Sequence, residues 1–259
     1  VDIKILVAAH KRFPMPADKD LYLPVLVGAT KNYKNGIEYQ RDDEGDNISY
    51  KNPNYNELTA IYWAWKNLDS DAVGLVHYRR LFSVNGKRKL SSVLTKEQVE
   101  QLLKEAPIVL PKKRRYYIET NYSHYVHAHH KEPIDVMRRV IAENYPKYLS
   151  SYDKVMNKRS AHMFNMFIME RKEFNQYAEW MFDVLFRVEK VIDITDYSVQ
   201  EARVFGYLSE LLMDIWIVAN QKKFVESKWI QIGDRHLVKK LYSFVSRKFL
   251  KKKNARTHF

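Results

Sequence analysis

The chain opens on IKILVAA (3–9), a continuous apolar run rich in β-formers that breaks at the polar HKRFPMP. Such a run predicts a buried first strand ending at His10, because Pro14 and Pro16 forbid helix beyond it. YLPVLVGA predicts a second strand, and residues 32–54 carry Gly, Asn, Asp and Pro at turn density. They predict a long loop, which in a compact domain is more often functional than idle. In YNELTAIYWAWKNL (55–68), Leu58, Ile61, Tyr62, Trp65 and Leu68 recur at helical spacing, with Asn54 or Asn56 as candidate N-cap and Glu57 in the first turn. DAVGLVHY predicts the next strand, TKEQVEQLLKE a helix over 95–105, and APIVLP a strand ended by Pro111 and the basic run Lys112 to Arg115. Residues 133–145 read as a helix, 162–170 as a buried strand, 171–189 as an aromatic-rich helix and 201–220 as a closing helix. Strands and helices alternating at this spacing predict an α/β fold, a largely parallel sheet with helices packed on it.

The 259 residues suffice for one α/β domain or two small lobes. With 46% hydrophobic and 29% charged residues the chain reads as globular, while 18 Tyr, 12 Phe and 5 Trp exceed ordinary usage. Aromatic excess suits sugar, base or interface stacking, although core packing is the commoner use of any one ring. The absence of cysteine excludes disulfides, thiolate metal sites and cysteine nucleophiles, and fits a reducing compartment. No apolar stretch approaches the roughly 20 residues of a membrane span and the N-terminus lacks a signal-peptide core, so a cytoplasmic protein is expected. The formal charge is +13, of which residues 239–259 carry +8 with no acid. In KKLYSFVSRKFLKKK the apolar Leu241, Phe244, Val245, Phe249 and Leu250 fall near one helical face flanked by lysines, as in an amphipathic helix on an anionic membrane surface. The same run also suits nucleic acid or a solvated tail.

Among candidate sites, Asp69-Ser70-Asp71 has the form of a pair that holds a divalent ion and a nucleotide diphosphate. It precedes its strand, however, whereas ligands of open α/β sheets bind beyond the carboxyl ends of strands, so a solvated turn is the expected role. The carboxyl end carries His77-Tyr78-Arg79-Arg80. Two arginines leaving a core strand need partners: either the acidic loop Asp42 to Asp46, or an anion, since the guanidinium fork matches phosphate. His124, His127, His129 and His130 cluster without the spacing of a defined metal site; His130 suits an acceptor or a loop hydrogen bond. Arg203, Tyr207, Glu210 and Asp214, spaced by four, three and four, share one helical face, with Val204, Leu208, Leu211, Ile215 and Val218 on the other. Gly206 within that helix costs about 1 kcal/mol relative to alanine, which suggests a close-approaching ligand. Glu210 is the candidate general base, with Arg203 as its charge partner.

The ordered set GDNISYKNPNYNELTAIYWAWKN, GLVHYRRLF, IVLPKK, NMFIM and RVFGYLSELL, from about residue 4 to about residue 220, resembles a family named only as a domain of unknown function. The family occurs in capsular and exopolysaccharide biosynthesis glycosyltransferases, some of them described as galactofuranosyltransferases. The resemblance implies a GT-A-like, Rossmann-type sheet in a single catalytic domain over 1–238, followed by the basic amphipathic tail at 239–259. It implies transfer of a hexosyl group, for some members galactofuranosyl, from a UDP-sugar to a glycan or an undecaprenyl-diphosphate-linked oligosaccharide in capsular, exopolysaccharide or lipopolysaccharide synthesis, at the inner face of the plasma membrane. By analogy, His10 and the Gly45-Asp46-Asn47 turn hold the nucleoside. Asn165 and His130 meet the donor sugar or acceptor, and the helix bearing Arg203 and Glu210 faces the acceptor. His77, Tyr78, Arg79 and Arg80 stand where such enzymes often carry Asp-x-Asp, so no cofactor is certain and a requirement for Mn or Mg is left open. Other readings are a nucleic-acid binder using the basic run and aromatic groups, weakened because the charge sits in the tail and no nucleic-acid motif marks the body, or a glycan-binding module without catalysis.

Overall fold

A computed structural model describes residues 1–233, so the basic segment 239–259 lies outside the described residues. The strands are β1 (Ile3–Ala9), β2 (Tyr22–Leu26), β3 (Gln40–Arg41), β4 (Ala72–His77), β5 (Arg80–Phe82), β6 (Ile108–Pro111), β7 (Arg114–Arg115), β8 (Ser160–Ala161), β9 (Phe167–Glu170), β10 (Val225–Ser227) and β11 (Trp229–Gln231). The helices are α1 (Ala29–Asn32), α2 (Asn52–Tyr55), α3 (Leu58–Asn67), α4 (Lys96–Glu105), α5 (Asn121–Ala128), α6 (Glu132–Asn144), α7 (Pro146–Met156), α8 (Arg171–Glu189) and α9 (Val204–Ala219).

The main sheet runs β10-β6-β9-β4-β1-β2-β3. β1 pairs in parallel with β2 and β4, β2 with β3, and β10 with β6, while β9 is antiparallel to both its neighbours. β5 folds back on the end of β4 and carries β11, and β7 pairs with β8 in a separate ribbon. The unbroken apolar runs of β1 and β4 follow from burial on both sides of a helix-covered parallel sheet. Leu6, Ala8, Val73 and Leu75 face a core built with α3 and α6 to α9, and Ile5, Val7, Ala72 and Val76 face a smaller one with Val99 of α4. Gly74 lets β4 sit tightly between its neighbours, since a Cβ there would lie 3.0 Å from Ile168 Cγ1 and 3.2 Å from Ile5 Cγ1.

Three predicted elements come out differently. The helix expected over 55–68 is split into α2 and α3 by Asn56, whose φ of 52° is left-handed. The strand expected over 162–170 is reduced to β9, because Phe164 and Asn165 have φ of 77° and 53° and turn the chain before it can pair. α9 is not two-faced: from Val204 to Ile217 only Glu210 escapes full burial, and Asp214 is buried against His162, accepting from its backbone N–H at 3.0 Å and its Nδ1 at 2.5 Å. Helices α5 and α7 went unpredicted. α5 is half histidine and tyrosine, and α7 follows α6 directly with Pro146 at its first position, where proline's missing N–H costs nothing. Elsewhere the local signals hold: Thr95 and Gln98 form a reciprocal capping box that starts α4.

Candidate active site

A cleft of about 360 Å³ opens beyond the carboxyl ends of β1 and β4, where the fold class places ligands. Its main walls are the ends of those strands, the kink between α2 and α3, and the first turns of α9, with Val27, Phe164 and Gln231 completing the lining. It brings together nine residues singled out from the sequence, namely His10, His77, Tyr78, Arg79, Arg80, Arg203, Gly206, Tyr207 and Glu210.

The floor carries opposed charges. Glu210 Oε1 accepts the Phe164 backbone N–H at 3.1 Å, yet burial, and after it the negative charge of Glu57, push its carboxyl up to about 7. The Phe164 N–H, Arg80 and Arg114 pull the other way without cancelling this. A carboxyl poised there divides its time between acid and base near neutral pH. Arg80 lies over the Phe164 ring at 4.4 Å, and its buried Nε has no hydrogen-bond partner among the described residues. Burial lowers its pKa although Glu210 and Glu57 oppose that. A half-buried guanidinium with an unpartnered buried Nε is suited to an anion that completes it. His77 Nε2 lies 2.6 Å from the Phe164 carbonyl, which can only accept, so Nε2 carries the proton. Burial holds its pKa down and keeps the ring neutral. Arg79 is exposed at the rim.

The kink that makes the second wall is held by three asparagines, each with a different task. Asn52 Nδ2 donates to the Asn56 carbonyl at 2.7 Å, Asn54 Nδ2 to the Ala202 carbonyl at 2.8 Å, and Asn56 Oδ1 accepts from Arg203 Nε at 2.8 Å. Two of these contacts bind the kink to the start of α9. Gly206 is explained here: a Cβ would lie 2.2 Å from Asn56 Nδ2, so glycine makes room for a side chain of the protein itself. Asn165, buried behind the cleft, donates to Glu57 Oε1 at 2.7 Å and to the Gly206 carbonyl at 3.2 Å, and accepts from Ser209 at 2.9 Å. It therefore positions Glu57 and does not itself line the opening.

At the other rim Phe13 stacks on Tyr78 with centroids 3.6 Å apart, and His10 meets both rings edge-on at 5.5 Å. Burial, then the charges of Lys11, Arg79 and Arg203, lower the His10 pKa and favour the neutral ring. Asp46 and Asn47 lie elsewhere. The Asp46 N–H donates to Asn67 at the far end of α3, toward the amino ends of the strands, so the turn is separated from the cleft by the length of that helix. His130 is outside the lining, stacked on Tyr197 at 4.1 Å and 3.1 Å from Glu201; its neighbour His129 stacks on Tyr207 at the cleft edge.

The histidine cluster is divided among separate partners. His124 and His127 share Glu119, at 2.7 and 2.9 Å; burial raises that carboxyl, but the two hydrogen bonds outweigh it and leave it below its ordinary value. The Asp69 to Asp71 turn sits at the amino end of β4. There Asp71 accepts the Asp2 N–H at 2.7 Å, and Arg171 donates to the Ser70 carbonyl at 2.8 Å. The acidic loop does not neutralise the cleft arginines either: buried Asp42 accepts from Gly28, Ala29, Ser49 and Thr59, and Asp43 pairs with Arg41. At the end of β4 a neutral imidazole and two guanidinium groups replace the carboxylate pair that would hold Mn or Mg. Among the described residues no group of three or more His, Asp or Glu could hold a metal.

Sequence reasoning missed Glu57 as a cleft residue and the pins supplied by Asn52, Asn54 and Asn56. The signal available was the density of asparagine in NPNYNE, short side chains that bond backbone and tolerate left-handed φ.

Residues 4–222 match the family described as Domain of unknown function (DUF4422). The apo structure of the bifunctional glycosyltransferase WbbM aligns with a TM-score of 0.81 at 30% identity, over 90% of this chain and 46% of that one. The chain thus spans about half the length of that protein. None of the curated proteins matches it.

Proposed function

The chain belongs to the family of domains of unknown function whose pattern spans residues 4–222, and from that premise we propose that it is a glycosyltransferase moving a hexosyl group from a UDP-sugar to a glycan or lipid-linked oligosaccharide. The observation that carries this reading is the pairing, in one cleft, of a half-buried guanidinium whose Nε lacks a partner with a carboxyl poised near neutrality, Arg80 beside Glu210. The likeness to a glycosyltransferase over 90% of the chain supports the reaction class.

In the proposed transfer the donor diphosphate lies against Arg79 and Arg80, and the nucleoside reaches the rim formed by His10, Phe13 and Tyr78. The acceptor hydroxyl gives its proton to Glu210 as its oxygen bonds to the anomeric carbon. The bond from that carbon to the diphosphate breaks, and UDP departs with its new charge met by the guanidinium groups. Arg203, held by Asn56, faces the acceptor side, and Asn165 keeps Glu57 where its charge sustains the high pKa of Glu210. The galactofuranosyl donor, the undecaprenyl-diphosphate carrier, the capsular or exopolysaccharide pathway and a peripheral position on the cytoplasmic membrane face through residues 239–259 are finer proposals suggested by family resemblance. No described helix is long and apolar enough to cross a membrane.

Hydrolysis of a panel of nucleotide sugars, together with UDP titration with and without a chelator, tests the reading. Saturable UDP binding that survives the chelator and is weakened in Arg80→Ala supports it. Binding of oligonucleotides but not UDP, with a steep salt dependence, would replace it with the nucleic-acid reading.

A further inference from the structure

The basic run after β6 is not consumed by the cleft. Lys112, Arg114, Arg115 and Arg159 are exposed, and Lys113 and Lys158 partly so. The β7–β8 pairing sets these two stretches side by side: Arg114 lies opposite Ala161 and Arg115 opposite Ser160, and the Tyr116 N–H reaches the Arg159 carbonyl at 2.8 Å. None of the six cations forms an ion pair with a described residue, whereas acids elsewhere hold lysines and arginines at 2.6–3.6 Å. Lys158 feels the crowding, its pKa lowered by burial and then by the charge of Lys113.

Next to these cations the chain exposes its most conspicuous apolar pair. Tyr117 is 77% and Ile118 65% exposed. Tyr117 is left-handed at φ 62°, and Arg159 Nη1 donates to its carbonyl at 3.1 Å, so the tip is held outward by a cation of the patch itself. Arg114 belongs to both neighbourhoods, because its charge also acts on Glu210 and Arg80. The patch is therefore within electrostatic reach of Glu210.

We propose that residues 112–118 together with Lys158 and Arg159 form a docking surface for an anionic phospholipid bilayer, the cations meeting headgroups while Tyr117 and Ile118 enter the interface. An unpaired cationic surface around an aromatic and an aliphatic side chain matches that partner in both charge and polarity. Nucleic acid would use the cations and could stack on Tyr117, but has no use for Ile118. The surface rests on exposure and charge and not on the transferase reading, so vesicle binding and UDP binding fail independently.

The chain has no cysteine, so full-length Tyr117→Cys takes one environment-sensitive fluorophore. Tyr33→Cys serves as control, near β3 at the opposite edge of the sheet from β6. With phosphatidylcholine vesicles containing about 30 mol% phosphatidylglycerol, the label at 117 shifts to the blue and that at 33 does not. Pure phosphatidylcholine gives no shift, and each lost cation weakens binding about 5-fold. In the full chain, with 239–259 intact, Lys112→Ser/Arg115→Ser/Ile118→Ser binds at least about 25-fold more weakly with an unchanged melting curve. The proposal is overturned if the 117 label stays in water while the protein still pellets with vesicles, if the triple variant binds like wild type, if vesicles are not bound at all, or if an oligonucleotide produces the larger shift.

Discussion

Substituting alanine at Gly206 tests the most local claim about the cleft wall. Helix propensity alone makes Gly206→Ala stabilising by about 1 kcal/mol in a helix interior. The structure reverses the sign, because the added Cβ would lie 2.2 Å from Asn56 Nδ2 and 3.2 Å from its Cγ. Asn56 cannot swing away freely, since its Oδ1 accepts from Arg203 Nε at 2.8 Å. Overpacking of this kind costs about 1–3 kcal/mol if Asn56 stays, and a lost bond to a charged donor about 1.5–3 kcal/mol if it moves, so after the propensity gain of about 1 kcal/mol the net expectation is a loss of up to about 2 kcal/mol. The partner substitution Asn56→Gly removes the obstructing side chain and suits the φ of 52°. In that background Gly206→Ala should regain its intrinsic sign and stabilise by about 1 kcal/mol. Urea unfolding of the four proteins of this cycle, followed by circular dichroism, measures the coupling directly. If Gly206→Ala has the same effect in both backgrounds, the glycine is not there to admit Asn56 and the account of this wall is wrong.

Substitutions at four further positions have outcomes set by the same geometry. Glu210→Gln should lower turnover about 10²- to 10⁴-fold; near-full activity with a verified donor and acceptor would remove Glu210 as the base. Because its folded pKa of about 7 lies above the ordinary 4.5, the native state binds the extra proton. Its contribution to stability is full at pH 4 and lost as pH rises toward and through 7. Glu210→Gln should therefore be more stable than wild type at pH 8, by about 1–2 kcal/mol once cleft water screens a shift worth up to about 3 kcal/mol, with the difference vanishing at pH 4. Comparing the two proteins cancels the opposite contribution of His77, whose lowered pKa costs stability in acid. Glu57→Gln keeps an acceptor for Asn165 but removes a charge that raises the Glu210 pKa, so the acid limb of the rate profile should move to lower pH; an unmoved limb argues against coupling. Arg80→Ala should weaken UDP binding about 10- to 100-fold by calorimetry, and Arg80→Lys, lacking the planar fork, should restore only part of it. Asp214→Ala, which strips buried His162 of its 2.5 Å partner, should cost about 3 kcal/mol in urea unfolding; an unchanged midpoint would mean that this contact contributes nothing.

Local patterning was enough for the elements whose signal is periodicity or a cap. β1, α4, β6 and α8 fall within a residue or two of their expected limits, because unbroken apolar runs, the Thr95–Gln98 box and a 19-residue amphipathic stretch each act within one element. The direction of β4 followed from the same reasoning, and with it the place where Arg79 and Arg80 emerge and the exclusion of Asp69 and Asp71 from the cleft. The Asp46–Asn47 turn, by contrast, was placed by analogy and lies at the end of α3 away from the cleft. The left-handed residues 56, 164 and 165 break a helix and a strand that periodicity would have continued. What holds them is distant: Asn165 meets Glu57 across 108 positions and Asn56 meets Arg203 across 147. The sequence by itself determined which segments become strands and helices and which chemistry each carries to its end. Only the tertiary structure decided that Glu57 and Arg80 would share a cleft with Glu210, because a pKa near 7 there arises from burial and a neighbouring charge, and both exist only once the chain has closed around them.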